Sequence, residues 1–196
     1  MFLSDPSFAD ISRPLPLDAE SEAPTPRMLA WARNSTIWRL QRQMLTEKQL
    51  SDAIRRKAKD RFEGISESQI RACSDHAVAF AHEQKALDDT AYAEVATRSG
   101  VRGGRSRRAI AQRLAAKGID RETVASALEA ADDLHAAVAL ARKRAFGPFR
   151  KAEPDARRLA RELSAFARGG FGFDMAKRVC SMPRDEAEEI LFSRRG

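Results

Sequence analysis

The chain has 196 residues, with 35 Lys and Arg against 28 Asp and Glu, a net charge of +7 and a pI near 9.9. That balance suits polyanions or acidic protein faces as partners and argues against an acidic-surfaced metabolic enzyme. Aromatic residues make up 7% with a single Tyr, and Ala and Arg dominate residues 105–170, a mixture that favours helices over sheets because these side chains lose little freedom in a helix.

In chain order, residues 1–26 carry Pro6, Pro14, Pro16, Pro24 and Pro26 among Asp18, Glu20 and Glu22, with no periodic apolar stripe. This composition predicts a disordered acidic arm. It has neither the basic start nor the apolar run of a secretory signal, and no apolar stretch approaches the roughly 18 residues needed to cross a bilayer. A cytoplasmic protein is expected, and Cys73 and Cys180, both inside apolar helical patterns, fit a reducing compartment.

Beyond Pro26 the pattern is helical nearly throughout. Thr46 and Gln49 have capping-box spacing ahead of a stripe at Leu50, Ala53 and Ile54, an arrangement in which each side chain satisfies an orphan N–H of the first turn. Ile70, Cys73, Ala77 and Ala81 make the next stripe; Ile110 and Leu114, Val124 and Leu128, Leu134, Val138 and Ala141, then Leu159, Leu163 and Phe166 continue it at helical spacings.

The turns between stripes repeat. Gly64-Ile65-Ser66 and Gly118-Ile119-Asp120 each place a glycine for a left-handed helix end, an apolar staple and an N-cap in succession. Gly170-Phe171-Gly172 is a weaker third copy, with Ala176 where the apolar partner belongs. These glycines recur at intervals of roughly fifty residues, in the range of helical repeats. Leu87-Asp88-Asp89 and Ala131-Asp132-Asp133 introduce the second and third copies. The expected fold is therefore all-α, an elongated tandem array of three three-helix repeats, at 27–86, 87–131 and 132–182, followed by a C-terminal tail at 183–196.

Between Arg98 and Ile119 the chain has Arg98, Arg102, Arg105, Arg107, Arg108, Arg113 and Lys117 and no acid. Further basic runs follow at Arg142, Lys143, Arg144, Arg150 and Lys151, and at Arg157, Arg158, Arg161 and Arg168. Their recurrence predicts a continuous basic surface. The partner contacts expected on charge alone are Arg102, Arg105, Arg107, Arg108, Arg113, Arg157, Arg158 and Arg161. A duplex-reading helix-turn-helix around Gly118 is disfavoured, because its second helix would bring Glu122, Glu129, Asp132 and Asp133 toward phosphates.

No nucleophile elbow, phosphate loop or zinc-protease motif is present. Cys73 with His76 and His82 reads as a core thiol beside surface histidines before it reads as a metal set. No catalytic residue, cofactor or metal is expected.

Taken together, Leu87-Asp88-Asp89 with Tyr92, Arg105, Ile110, Leu114, Lys117-Gly118-Ile119, Val124 and Leu128, and then Phe166 to Gly170-Phe171 ahead of Val179, resemble the RecX regulatory proteins of bacteria. The resemblance implies an elongated stack of three-helix repeats without chemistry of its own. It implies binding to the RecA nucleoprotein filament, direct contact with DNA as a further capability, and inhibition of the recombinase and ATPase activities of RecA in DNA repair and the SOS response. Action on DNA independently of RecA is the alternative, and a monomer is expected.

Overall fold

Side-chain caps set where the helices begin. In the structure, a computed structural model that describes residues 23–193, the Thr46 hydroxyl accepts from the Gln49 N–H and the Gln49 side chain accepts from the Thr46 N–H, both at 3.2 Å. Ser66 and Gln69 repeat this exchange. Asp120 caps the next start by accepting from the Thr123 N–H at 2.9 Å, and Asp132 accepts from Leu134 and His135. Gly64, Gly118 and Gly170 all take positive φ, at 73°, 86° and 90°, the left-handed ending that a Cβ opposes. The described residues are helical and contain no strand.

The chain divides into two compact units, one up to Asp88 and one from Asp89. In the first, α1 (Pro26–Leu40), α2 (Glu47–Arg61) and α3 (Glu67–Glu83) enclose a core of Met28, Leu50, Ile54, Phe62, Ile70 and Cys73. Trp31 packs edge-on against Phe62, with ring centroids 5.3 Å apart. The proline-rich arm lies outside the described residues for positions 1–22; its end is tied down where the Gln69 side-chain amide donates to the Ala23 carbonyl at 3.1 Å.

The second unit holds two cores. α4 (Asp89–Arg102), α5 (Arg107–Ala116) and α6 (Arg121–Leu128) enclose Ala93, Ile110, Leu114, Ile119, Val124 and Leu128. Tyr92 accepts a hydrogen bond from Lys117, whose ammonium also lies 4.8 Å from the centre of the Tyr92 ring. α7 (Asp133–Arg144), α8 (Ala156–Arg168) and α9 (Phe173–Ser181) enclose Val138, Ala141, Phe166, Phe171 and Val179. Full burial of a side chain such as Phe166 contributes about 1.5–3 kcal/mol. α10 (Arg184–Phe192), within the segment read from sequence as a tail, packs against α7 through Ala187, Ile190 and Leu191.

The two cores of this unit are stitched at one corner. The Asp133 carboxylate accepts from the Arg107 N–H at 2.6 Å, satisfying one of the orphan donors at the start of α5. A Cβ on Gly104 would stand 2.6 Å from that of Leu140, so α7 approaches the α4–α5 turn as closely as a bare backbone allows.

Candidate partner-binding surface

At that corner the α4–α5 turn, the last turn of α7 and one face of α8 enclose a cleft of about 560 Å³. Arg105 comes from the turn, Lys143 and Arg144 from α7, and Arg158, Arg161 and Arg168 from α8, with Gly103, Gly104 and Gly169 along the wall. The carboxylate lining it is that of Glu162, which is fully buried.

Glu162 organises the basic residues around it. Arg150 donates to it through Nε at 3.0 Å and Nη2 at 2.6 Å, Arg158 through Nε at 3.3 Å, and the Gly147 N–H at 3.2 Å. Arg150 also reaches the Cys180 carbonyl at 3.3 Å, and Arg158 the Ala145 carbonyl at 3.2 Å. Burial by itself pushes the Glu162 carboxyl up, but the bonds from Arg150, Gly147 and Arg158 outweigh it and hold the group below the usual carboxylate range. The same bond to Glu162 holds Arg150 above its ordinary value. Cys180, whose sulfur lies 3.7 Å from Glu162 Oε2, is pushed up to about 11 by burial and then by that negative charge. Cys73 is raised by burial alone.

This network divides the arginines into two groups. Arg150 and Arg158 are turned inward and share the single carboxylate of Glu162. Arg105, Lys143, Arg144, Arg161 and Arg168 have no ion-pair partner among the described residues, so the cleft keeps a surplus of positive charge facing solvent. Such a surface holds an array of anionic oxygens through charge-assisted hydrogen bonds, carboxylate or phosphate alike.

Of the contacts expected from sequence, the structure brings Arg105, Arg158 and Arg161 together on this cleft. Arg158 is also committed to Glu162 there, and Arg150, read from sequence as part of a surface run, is half-buried in the same network. Arg107, Arg108 and Arg113 are exposed on α5, and Arg157 is exposed on α8, outside the cleft's lining. Arg102 lines a different cleft of about 430 Å³ with Arg98, Thr97 and His135. Glu162 was missed by sequence reasoning, although a signal existed: with Phe166 it sits at helical spacing on the inward face of α8, where an acid demands a buried cation, whereas Leu159, expected on the same stripe, is exposed.

The described residues hold no group of three or more His, Cys, Asp or Glu placed to bind a metal; Cys73 is buried in the core of α1–α3, and His82 pairs instead with Glu47 at 3.0 Å. None of the described helices is long and apolar enough to cross a membrane.

Residues 88–128 match the family model described as RecX, second three-helix domain. The chain is 56% identical over 174 residues to regulatory protein RecX of Agrobacterium fabrum, covering 89% of this chain and 95% of that one. It is 37% identical over 157 residues to regulatory protein RecX of Myxococcus xanthus, covering 74% and 82%. Two solved structures share the fold: a crystal structure of regulatory protein RecX, with TM-score 0.57 and 22% identity over 79% of this chain and 72% of that one, and RecX from Lactobacillus salivarius, with TM-score 0.56 and 20% identity over 85% and 98%.

Proposed function

The chain belongs to the RecX family of regulatory proteins, and from that premise we propose that it binds the RecA nucleoprotein filament through the basic surface of its second unit, inhibiting recombinase and ATPase activity in DNA repair and the SOS response. The observation that carries this reading is the cleft of Arg105, Lys143, Arg144, Arg161 and Arg168, whose charges are left without carboxylate partners among the described residues by the burial of Glu162. A filament of protein around a single strand offers what such a cleft binds, acidic side chains and phosphate oxygens in a fixed array. Arg102, Arg107, Arg108, Arg113 and Arg157 extend the charged surface beyond the cleft, and Arg158 supports it from within. On this reading the protein acts by occupancy, as a cytoplasmic monomer without chemistry of its own.

The test is single-strand-dependent ATP hydrolysis by the cognate RecA, titrated with this protein at physiological salt beside a gel shift on naked DNA. Inhibition at concentrations well below those that coat the DNA is the expected result. Strong binding to naked DNA with no effect on hydrolysis overturns the reading in favour of action on nucleic acid alone.

A further inference from the structure

The first unit carries a feature that the basic cleft does not use. From Ala23 to Thr46 the chain has Arg27, Arg33, Arg39 and Arg42 and no acid. At the end of α1 the Trp38 side chain is 49% exposed, an unusual place for the largest apolar surface in the amino-acid set. The Arg42 guanidinium lies 3.7 Å from the centre of its ring and the Arg39 guanidinium 5.9 Å.

Arg39 is crowded. Burial and then the charge of Arg56 hold it below its ordinary range, and its Nε is buried with no hydrogen-bond partner among the described residues. Arg39, Arg42 and Arg56 have no ion-pair partner among the described residues either. The acids of α2 lie against other groups, Glu47 against His82 at 3.0 Å, Asp52 against Lys48 at 2.7 Å and Asp60 against Lys57 at 3.5 Å. Two mutually repelling cations, Arg39 and Arg56, and an exposed indole that carries Arg42 over its ring form an arrangement that an anion with a flat ring relieves.

We propose that Trp38, with the Arg39 and Arg42 guanidinium groups over its ring and Arg56 near Arg39, is a stacking platform for an unpaired base of a single-stranded nucleic acid, with these guanidinium groups taking the adjoining phosphates. Base stacking on an aromatic ring tolerates any sequence, because every base has a π-face, and clustered arginines add both cation–π and phosphate contacts. A duplex keeps its bases stacked on one another and leaves the indole nothing to pair with. An acidic protein segment uses the charges but gains nothing specific from the flat ring with a guanidinium laid on it. The proposal is independent of the RecA reading, because binding to an oligonucleotide is measured with no recombinase present.

The chain has two tryptophans, so W31F leaves Trp38 as the reporter. Titration with a short oligo(dT) is expected to quench its fluorescence, with the quench reversed by added salt. In the otherwise native chain, W38A is expected to weaken binding of a labelled oligo(dT) by about 5-fold or more, the scale of one lost base stack, while W38F retains most of the affinity. The second measurement does not depend on how W31F folds. Unchanged affinity in W38A overturns the proposal. So does equal binding to duplex and single strand, or a Trp38 spectrum that responds to poly-glutamate and not to oligo(dT), which would make this face a protein-docking surface.

Discussion

The Ser106 N–H donates to the carbonyl of Gly169 at 2.9 Å, fastening the start of α5 to the end of α8. Each of the two also neighbours a cation of the cleft, Arg105 before Ser106 and Arg168 before Gly169, so a single backbone bond ties together the points from which two charges extend, one in the α4–α5 turn and one on α8.

Gly170 makes this junction possible. Its φ is +90°, and a Cβ there would stand 2.3 Å from Ser106 Oγ and 2.8 Å from the Ala109 Cβ. Gly170→Ala therefore combines left-handed strain with overpacking and is expected to cost about 2–4 kcal/mol. Gly64→Ala, at φ +73° with nothing within 4 Å, is expected to cost only about 1–2 kcal/mol. Urea unfolding of the two variants measures the difference; equal costs would show that the contact with α5 is not tight.

Removing the charge of Glu162 strands Arg150 and Arg158 in a half-buried site. Glu162→Gln is expected to destabilise the protein by about 3 kcal/mol, the scale of a broken buried pair. The sign with pH follows from its depressed carboxyl: the stabilisation is fully present above the unfolded value of about 4.3 and is lost as pH falls through the lower folded value. Acid unfolding should show a decline below that point which the Gln variant lacks.

Charge reversal separates the two parts of the basic surface. A variant with Arg105, Arg144 and Arg161 all changed to Glu is expected to lose inhibition of RecA-catalysed ATP hydrolysis by about 10-fold or more, given the 2–5 kcal/mol scale of lost interfacial charge pairs. The pair Arg107→Glu and Arg108→Glu, on the exposed face of α5, is expected to weaken inhibition less, with helicity by circular dichroism unchanged in both. If the α5 pair has the larger effect, the contact lies on α5 and not in the cleft.

Neither thiol should be reactive in the folded chain. With Cys180 pushed up to about 11, about a thousandth of it is thiolate at pH 8, against about a quarter for an ordinary cysteine, and Cys73 is wholly buried. Alkylation by iodoacetamide should be slow in the native protein and fast in urea. Rapid labelling of the native protein would contradict the packing around α9 if at Cys180, or around α3 if at Cys73.

Much of the fold was legible because helix starts and stops are local. Gly64-Ile65-Ser66 and Gly118-Ile119-Asp120 announce a left-handed end, a staple and a cap within three residues, and each is found in that role. The apolar stripes predicted most of the core, from Leu50 and Ile54 to Phe166, though Leu159 of the last stripe is exposed. The charged surface was less legible. In sequence Arg150, Arg158 and Arg161 belong to one kind of run; Arg158 stands one helical turn before Glu162 on α8, but only the return of the chain between α7 and α8 shows that Arg150 faces Glu162 as well. That pairing spans twelve residues between Arg150 and Glu162, beyond any helical spacing. Trp38 was invisible for the opposite reason: an indole at helical spacing reads as core, and only the structure leaves it at the surface.

The burial of Glu162 gives the two groups of arginines different responses to ionic strength. Dissolved ions screen exposed charges over about 8–10 Å in ordinary buffers but scarcely reach a pair closed off from water. Raising the salt should therefore weaken the grip of Arg105, Arg144 and Arg161 on an anionic partner while Arg150 and Arg158 continue to brace the site, so that the protein can be released from its target without being unfolded.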